Sequence, residues 1–90
     1  WIDDATSLNT SARLASMLIG LIDTYGKQIG DDIKIELRLS QEELGFMLGT
    51  TRQTINKIIQ SWQKKNLIDM HYGFITIRNK PQLMAMMNPA

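Results

Sequence analysis

Residues 40–65 contain two short helical patterns separated by a turn, and this segment constrains the fold more than any other part of the chain. Ser40 is followed three residues later by Glu43, which is the capping-box signature of a helix start. Gly49 comes just after the apolar residues of this first helix, where glycine commonly ends a helix in a left-handed conformation. A second helical pattern begins directly after Gly49 and continues to about Lys65. The segment therefore predicts two consecutive helices joined by a very short turn.

Small and apolar residues in the two predicted helices have the spacing of a helix-turn-helix. Gly45 is small where the two helices cross closely, and Gly49 begins the turn. Ile55 and Ile58 fill the wedge between the helices. The whole set comprises Leu44, Gly45, Leu48, Gly49, Ile55 and Ile58. The alternative is an ordinary pair of antiparallel helices with a short turn, which does not need all of these positions to agree.

The flanking segments predict the remaining elements. Leu14 and Leu18 belong to a helical repeat, so an amphipathic helix capped at Asn9 or Thr10 is expected before the pair. Residues 33–39 alternate between apolar and charged, which is typical of a strand with one buried face. The predicted order is a helix over 9–25, a strand over 33–39, helices over 41–48 and 51–65, a β-hairpin over 67–71 and 74–78 around Tyr72-Gly73, and a short helix over 81–87.

This order predicts a mainly α fold with a small β part: a winged helix-turn-helix with a three-helix core and a β-hairpin wing. A single domain over 1–90 is expected, because a chain of 90 residues does not support a second core. The helix-turn-helix occupies about 41–65 and the wing about 67–78. Trp62 shares the apolar face of its helix, so we expect it in the core rather than stacked on a base.

The composition excludes several kinds of site. The chain has no cysteine, which excludes a disulfide scaffold, a thiolate zinc site and a cysteine nucleophile. Its single histidine, His71, lies two positions after Asp69 on one predicted short strand, and the pair has no third residue that would complete a catalytic triad. Asp31 and Asp32 offer only two carboxylates in a turn, which rarely suffice for a metal. We therefore predict no enzyme activity, no metal site and, since no apolar run approaches ~18 residues, no membrane span.

The charges are unevenly distributed along the chain. Residues 1–50 carry four basic and eight acidic side chains, whereas residues 51–90 carry six basic side chains and one acidic side chain. A basic half suits a polyanionic partner such as nucleic acid. On charge alone, an ordinary solvated surface remains the alternative.

The second helix of the pair has two chemically different faces. Its isoleucines share one face with Trp62, and the opposite arc is polar and free of carboxylates. Arginine and lysine side chains suit guanine edges, and glutamine and asparagine suit adenine. We therefore predict base-reading roles in the major groove for four residues of this arc. They are Arg52, Gln53, Asn56 and Lys57.

Groups at the helix starts and in the wing are predicted to hold the DNA backbone. The hydroxyls of Thr50, Thr51 and Thr54 and the amides of the first helical turn would face phosphates. Ser40 would do so at the start of the first helix. The wing adds His71, Tyr72 and Gly73 at its turn.

Most of the chain resembles the C-terminal DNA-binding domain of the cyclic-AMP receptor protein / fumarate–nitrate regulator (CRP/FNR) family. The resemblance covers about residues 7–78 and rests on LSQEELGFMLGTTRQTINKIIQSWQKKNLIDMHYGFITI, with SARLASMLIGLI similar to the preceding helix of that family. The family's recognition helix starts Ser-Arg-Glu-Thr-Val, and TRQTI occupies those places here. The resemblance implies that Arg52 reads a guanine, that Thr51 and Thr54 hold phosphates, and that His71 contacts a phosphate from the wing.

Two positions depart from the family pattern. Gln53 stands where the family has Glu, and Lys57 stands where it has a later Arg. A glutamate accepts from cytosine N4, whereas a glutamine prefers adenine. We therefore expect the family's docking geometry but not its unchanged half-site.

The resemblance also implies a larger protein around this domain. An N-terminal effector and dimerisation domain would lie outside this chain, with residues 1–6 as the hinge region after it. Full-length family members bind a cyclic nucleotide or another effector there, so no cofactor is expected in this fragment. The implied whole protein is a cytoplasmic, nucleoid-associated homodimer on palindromic double-stranded DNA, with half-sites ~34 Å apart and RNA polymerase as a further partner.

Two other binding classes stay open. A winged helix also serves as a protein–protein interaction module, although a recognition face without carboxylates argues against that use here. An RNA-binding winged helix would show exposed aromatic residues that stack on bases, and Tyr72 is the one candidate in this sequence. Binding of double-stranded DNA is therefore the predicted function.

Overall fold

The computed structural model describes the backbone of residues 2–87 and the side chains of residues 9–87. Within these residues the elements are α1 (Ile2–Tyr25), β1 (Gly26–Ile29), β2 (Asp32–Ile35), α2 (Gln41–Met47), α3 (Arg52–Lys64), β3 (Ile68–His71), β4 (Phe74–Ile77) and α4 (Lys80–Met86). The four strands form one antiparallel sheet in the order β1-β2-β4-β3. This architecture confirms the predicted winged helix-turn-helix. Within the described residues, no helix has both the length and the apolar character needed to cross a bilayer.

The first half of the fold differs from the prediction in two ways. Helix α1 begins at Ile2, so Asn9 and Thr10 lie inside the helix and do not cap it. Of the predicted hinge over 1–6, residue 1 lies outside the described part of the chain, and the backbone of the rest belongs to α1.

The second difference is the strand β1, which the sequence pattern does not predict. All residues of β1 are exposed, so its sequence lacks the alternation that reveals a half-buried strand. The turn after it places Gly30 at φ 61°, and β1 then pairs with β2. The predicted strand over 33–39 ends at Ile35 in the structure. The Glu36 amide still donates to Tyr25, in register with β1, and beyond it the Leu39 amide donates to Gly73 in the hairpin turn.

One hydrophobic core lies between the helices and the sheet. Trp62 is 3% exposed, which confirms its predicted place in the core. The buried apolar residues are Leu14, Ala15, Leu18, Ile35, Leu39, Leu44, Leu48, Ile55, Ile58, Ile59, Trp62, Leu67, Ile68, Ile75, Ile77 and Leu83.

Local capping defines both helices of the pair. The Glu43 amide donates to the Ser40 hydroxyl over 3.0 Å at the start of α2, as predicted. The Glu43 carboxylate, however, accepts from the Ser40 hydroxyl over 3.1 Å and not from the Ser40 amide. Thr51 caps α3, since its hydroxyl accepts from the Thr54 amide over 3.2 Å. Gly49 lies at φ 66°, which confirms the left-handed end of α2.

The junction between α2 and α3 is tight. The Thr50 amide donates to the Gly45 carbonyl over 2.8 Å, and a Cβ on Gly45 would lie 3.0 Å from the Thr51 carbonyl carbon. From α1, the Arg13 guanidinium donates to the Leu48 carbonyl over 3.0 Å. A cation at this position satisfies an end carbonyl of α2 and complements the helix dipole. A glycine in α2 therefore permits the close approach of the α3 start, and an arginine from α1 stabilises the end of α2.

We expect Gly45→Ala to lower the free energy of unfolding by about 1–3 kcal/mol. The new methyl group would press on backbone atoms of Thr51 and Arg52, which cannot swing aside as a side chain would. Gly20→Ala is the matched control, because a Cβ on Gly20 meets nothing within 4 Å in helix α1. That variant should gain about 0.5–1 kcal/mol from helix propensity. Urea unfolding of both variants measures the difference, and equal stabilisation by both would contradict a tight junction.

Candidate nucleic-acid interface

Helix α3 presents its polar arc to solvent. Ile55, Ile58, Ile59 and Trp62 are buried on one side of the helix. On the other side Arg52, Gln53 and Lys57 are exposed and Asn56 is partly exposed, so the fold brings the four predicted base-reading residues onto one accessible face. Across residues 9–87, neither Arg52 nor Lys57 lies in a salt bridge. These two cations are therefore available to an external anion or base edge.

The start of α3 can receive an anion. The Thr51 and Thr54 hydroxyl oxygens lie 3.1 Å apart, so one hydroxyl donates to the other and the second keeps its proton for another acceptor. The first-turn amides of any helix lack intrahelical partners, and the first turn of α3 contains no acidic residue. This arrangement suits a phosphate oxygen at the helix start.

Two predicted phosphate contacts lie in less open surroundings. Thr50 is partly buried, and its amide is already bonded to α2. The Ser40 hydroxyl both donates to and accepts from Glu43, and Glu42 lines the same surface. Carboxylates repel phosphates, so this geometry favours Thr51 over Ser40 as a backbone contact.

The wing projects an exposed turn. Tyr72 at φ 53° and Gly73 at φ 83° both have positive φ, as a type I′ hairpin requires. The Tyr72 side chain is 90% exposed, and His71 beside it is also exposed. The Gly73 carbonyl accepts from the Leu39 amide over 2.8 Å, which ties the turn to the segment between β2 and α2. The predicted wing residues therefore form one accessible tip.

Two basic residues at the wing were missed by the sequence reading. Lys34 Nζ lies 4.8 Å and Arg38 Cζ lies 5.3 Å from the centroid of the Phe74 ring, both within the range of cation–π contacts. The stem of Arg38 also lies against Gly73, where a Cβ would come within 2.8 Å of Arg38 Cγ. The alternation of residues 33–39 predicts that Lys34 and Arg38 lie on the same face of a strand. It does not predict that β2 pairs with β4, which brings both residues to the wing.

A hydrogen bond links His71 at the wing tip to Asp69 on the same strand. His71 Nε2 lies 2.9 Å from Asp69 Oδ2. Asp69 Oδ1 accepts from the Met70 amide over 2.9 Å and from Gln63 Nε2 of α3 over 3.4 Å. Partial burial raises the pKa of Asp69, but these hydrogen bonds and the neighbouring imidazole outweigh it, so the pKa lies below the ordinary value. Asp69 is therefore an ionised acceptor at neutral pH.

Comparison with known proteins identifies relatives of this domain. Residues 12–86 match the Crp-like helix-turn-helix domain family. The chain is 30% identical over 80 residues to the global nitrogen regulator of Nostoc sp., covering 89% of this chain and 35% of that protein. It is 27% identical over 82 residues to the CRP-like cAMP-activated global transcriptional regulator of Mycobacterium tuberculosis, covering 91% of this chain and 34% of that protein. The chain thus spans about a third of the length of these relatives.

Solved structures share the fold. The CO-dependent transcription factor CooA from Carboxydothermus hydrogenoformans superimposes with a TM-score of 0.81 at 28% identity, covering 87% of this chain and 36% of that chain. Oxidized CprK in complex with o-chlorophenolacetic acid has a TM-score of 0.83 at 22% identity, covering 97% of this chain and 37% of that chain. At that identity the second likeness concerns the fold alone.

Proposed function

The chain belongs to the Crp-like helix-turn-helix family, and we propose that it binds double-stranded DNA sequence-specifically as the DNA-binding domain of a bacterial CRP/FNR-type transcription regulator. One observation carries the proposal: the face of α3 opposite its buried isoleucines is exposed, rich in donors and free of carboxylates. The names of the relatives, which are global regulators, agree with it.

Direct readout belongs to α3. A recognition helix enters the major groove with its N-terminal residues nearest the bases. Arg52 pairs with guanine O6 and N7, and Gln53 beside it pairs with adenine N6 and N7. Lys57, one turn later, donates to guanine, and Asn56 contributes an amide on the same face. Because Gln53 and Lys57 depart from the family pattern, the bases beside the guanine differ from those of the family's half-site.

Backbone contacts come from the helix starts and from the wing. Thr51 and Thr54 hold one phosphate with the first amides of α3. Thr50 directly precedes this contact, whereas Ser40 lies at the other end of α2 beside Glu42 and Glu43 and contributes less. The wing offers His71, Tyr72 and the Gly73 backbone. Lys34 and Arg38, held on Phe74, extend the basic surface of the wing. Such phosphate contacts set affinity and its salt dependence but carry no sequence information.

The proposal extends to the whole protein. An N-terminal domain binds the effector, a cyclic nucleotide or another small molecule, and holds two copies together. The dimer recognises a palindromic site with half-sites about one helical turn, ~34 Å, apart. It works in the cytoplasm on the nucleoid and has RNA polymerase as a partner. In this scheme the described domain itself holds no cofactor.

Selection of binding sites from a random duplex library tests the proposal, with the chain fused to a dimeric coiled coil. We expect a palindromic motif with a guanine in each half-site. Salt-sensitive binding without any motif would contradict sequence-specific recognition. Absence of binding would favour a protein-interaction module, for which Phe46, 89% exposed on α2, offers an apolar contact.

A further inference from the structure

One ring nitrogen of His71, Nε2, is already engaged in a hydrogen bond with Asp69. His71 Nε2 lies 2.9 Å from Asp69 Oδ2, and the other carboxylate oxygen is held by the Met70 amide and by Gln63. The His71 side chain is 73% exposed, so the rest of the ring faces solvent. The imidazole therefore has one nitrogen turned to the protein and one open to a ligand.

The chemistry of Asp69 decides which nitrogen carries the proton. Its hydrogen bonds keep the pKa of this carboxyl low in spite of partial burial, so the group is an acceptor only. The Nε2 atom of His71 must then be the N–H donor in the pair. In the neutral imidazole the second nitrogen, Nδ1, consequently bears a lone pair and no hydrogen.

A phosphate oxygen of a DNA backbone is also an acceptor only, so it finds no donor on the neutral ring. The imidazolium differs, because it donates from Nδ1 while Nε2 stays bonded to Asp69, and it adds a positive charge. We propose that His71 contacts a DNA phosphate only in its protonated form, with Asp69 as the positioning residue, so that the domain takes up a proton when it binds DNA. This inference rests on the proposed DNA-binding function.

The other groups around His71 make this uptake depend on DNA. Lys34 on β2 and Arg38 beyond it line the same surface together with Tyr72, and these two cations oppose a third positive charge. Asp69 on β3 favours that charge. Phe74 and Thr76 on β4 and Gln63 on α3 are neutral. A phosphate arriving at this surface would offset the repulsion from Lys34 and Arg38, so protonation is more favourable in the complex than in the free domain.

Measurement of DNA affinity against pH tests the inference. Fluorescence anisotropy with a labelled duplex of the selected site would cover pH 5.5–8 at constant ionic strength. Histidine is the ordinary side chain that changes charge between about pH 5 and 8, and this chain has a single histidine. We expect binding about tenfold tighter at the acidic end, the contribution of one charged hydrogen bond. The gain should be lost as the pH rises over this range.

Two variants separate the roles in the pair. His71→Gln keeps a polar side chain without a titrating ring, so its affinity should be independent of pH over this range. Asp69→Asn keeps an oxygen that accepts from the Met70 amide but turns an N–H donor toward Nε2, so the neutral ring carries its proton on Nδ1 and can donate to a phosphate. Its affinity should therefore change less with pH than that of the unmodified chain. Circular dichroism and urea unfolding of both variants would establish that they fold like the unmodified chain.

Each contrary result has a distinct meaning. An unmodified chain that binds DNA equally well at every pH would overturn the inference and leave the proposed function standing. Persistent pH dependence in His71→Gln would assign the proton to another group and would also overturn it. An unchanged curve for Asp69→Asn would remove the positioning role of Asp69. Absence of binding at every pH would overturn the proposed function, and the inference with it.

Discussion

Replacing Arg52 by alanine is expected to weaken binding to the selected duplex by about 1–3 kcal/mol and to relax the preference at one base pair. Arg52 is the first residue of α3, it is exposed, and it forms no salt bridge among residues 9–87. Its guanidinium is therefore available to pair with the two acceptors of a guanine. Dissociation constants for the selected duplex and for duplexes with each single base change would show the lost discrimination as a loss at one position.

Arg38→Ala is the matched control for this experiment, because it also removes an arginine side chain, but from the wing instead of from α3. Arg38 contacts the Phe74 ring and is proposed to face phosphates. Its loss should weaken binding to every duplex alike and lower the slope of log affinity against log salt by about 1. If Arg52→Ala also weakened every sequence equally, the proposed base-reading role of Arg52 would be wrong.

Replacing Trp62 by alanine should lower the free energy of unfolding by about 3–5 kcal/mol. Trp62 is 3% exposed on the buried face of α3. Its carbonyl accepts from the Leu67 amide over 2.9 Å, where the chain leaves the helix for the wing. Removal of the indole would leave a cavity at the point where helix and hairpin share the core. Since small domains are stable by only about 5–15 kcal/mol, this loss is a large fraction of the total.

Ser61→Ala, at the exposed neighbouring position of the same helix, is the control for Trp62. A surface change of this kind should stay within about 0.5 kcal/mol. Urea unfolding at fixed pH measures both variants. A Trp62→Ala variant that kept normal stability but lost DNA affinity would show that the indole contacts the ligand, contrary to its buried position.

Much of the helix-turn-helix could be predicted from the sequence, because its determinants act over a few residues. The hydroxyls of Ser40 and Thr51 accept from amides three residues ahead, and such caps depend on local chain geometry alone. Gly49 ends α2 in the left-handed conformation that its position predicts. The isoleucine face of α3 follows from the helical period, and the exposed arc opposite is its direct consequence.

The structure differs from the sequence-based prediction where partners are distant in the chain or where a segment has no buried face. The β1 strand is exposed throughout and therefore has no hydrophobic alternation to reveal it. The start of α1 was placed too late, because the possible caps at Asn9 and Thr10 remain within a continuing helix. In both cases the local signal was absent or misleading.

Local sequence accounts for the two capped helices, their turn, the polar arc of α3 and the hairpin turn at Tyr72-Gly73. Each of these depends on hydrogen bonds and side-chain periodicity within one or two turns of chain. Tertiary packing, in contrast, places Lys34 and Arg38, from the acidic half of the sequence, on Phe74 at the wing. Pairing of β2 with β4 joins residues about forty positions apart, and the core that holds both strands selects this pairing. The basic surface of the wing is for that reason a property of the fold and not of any segment.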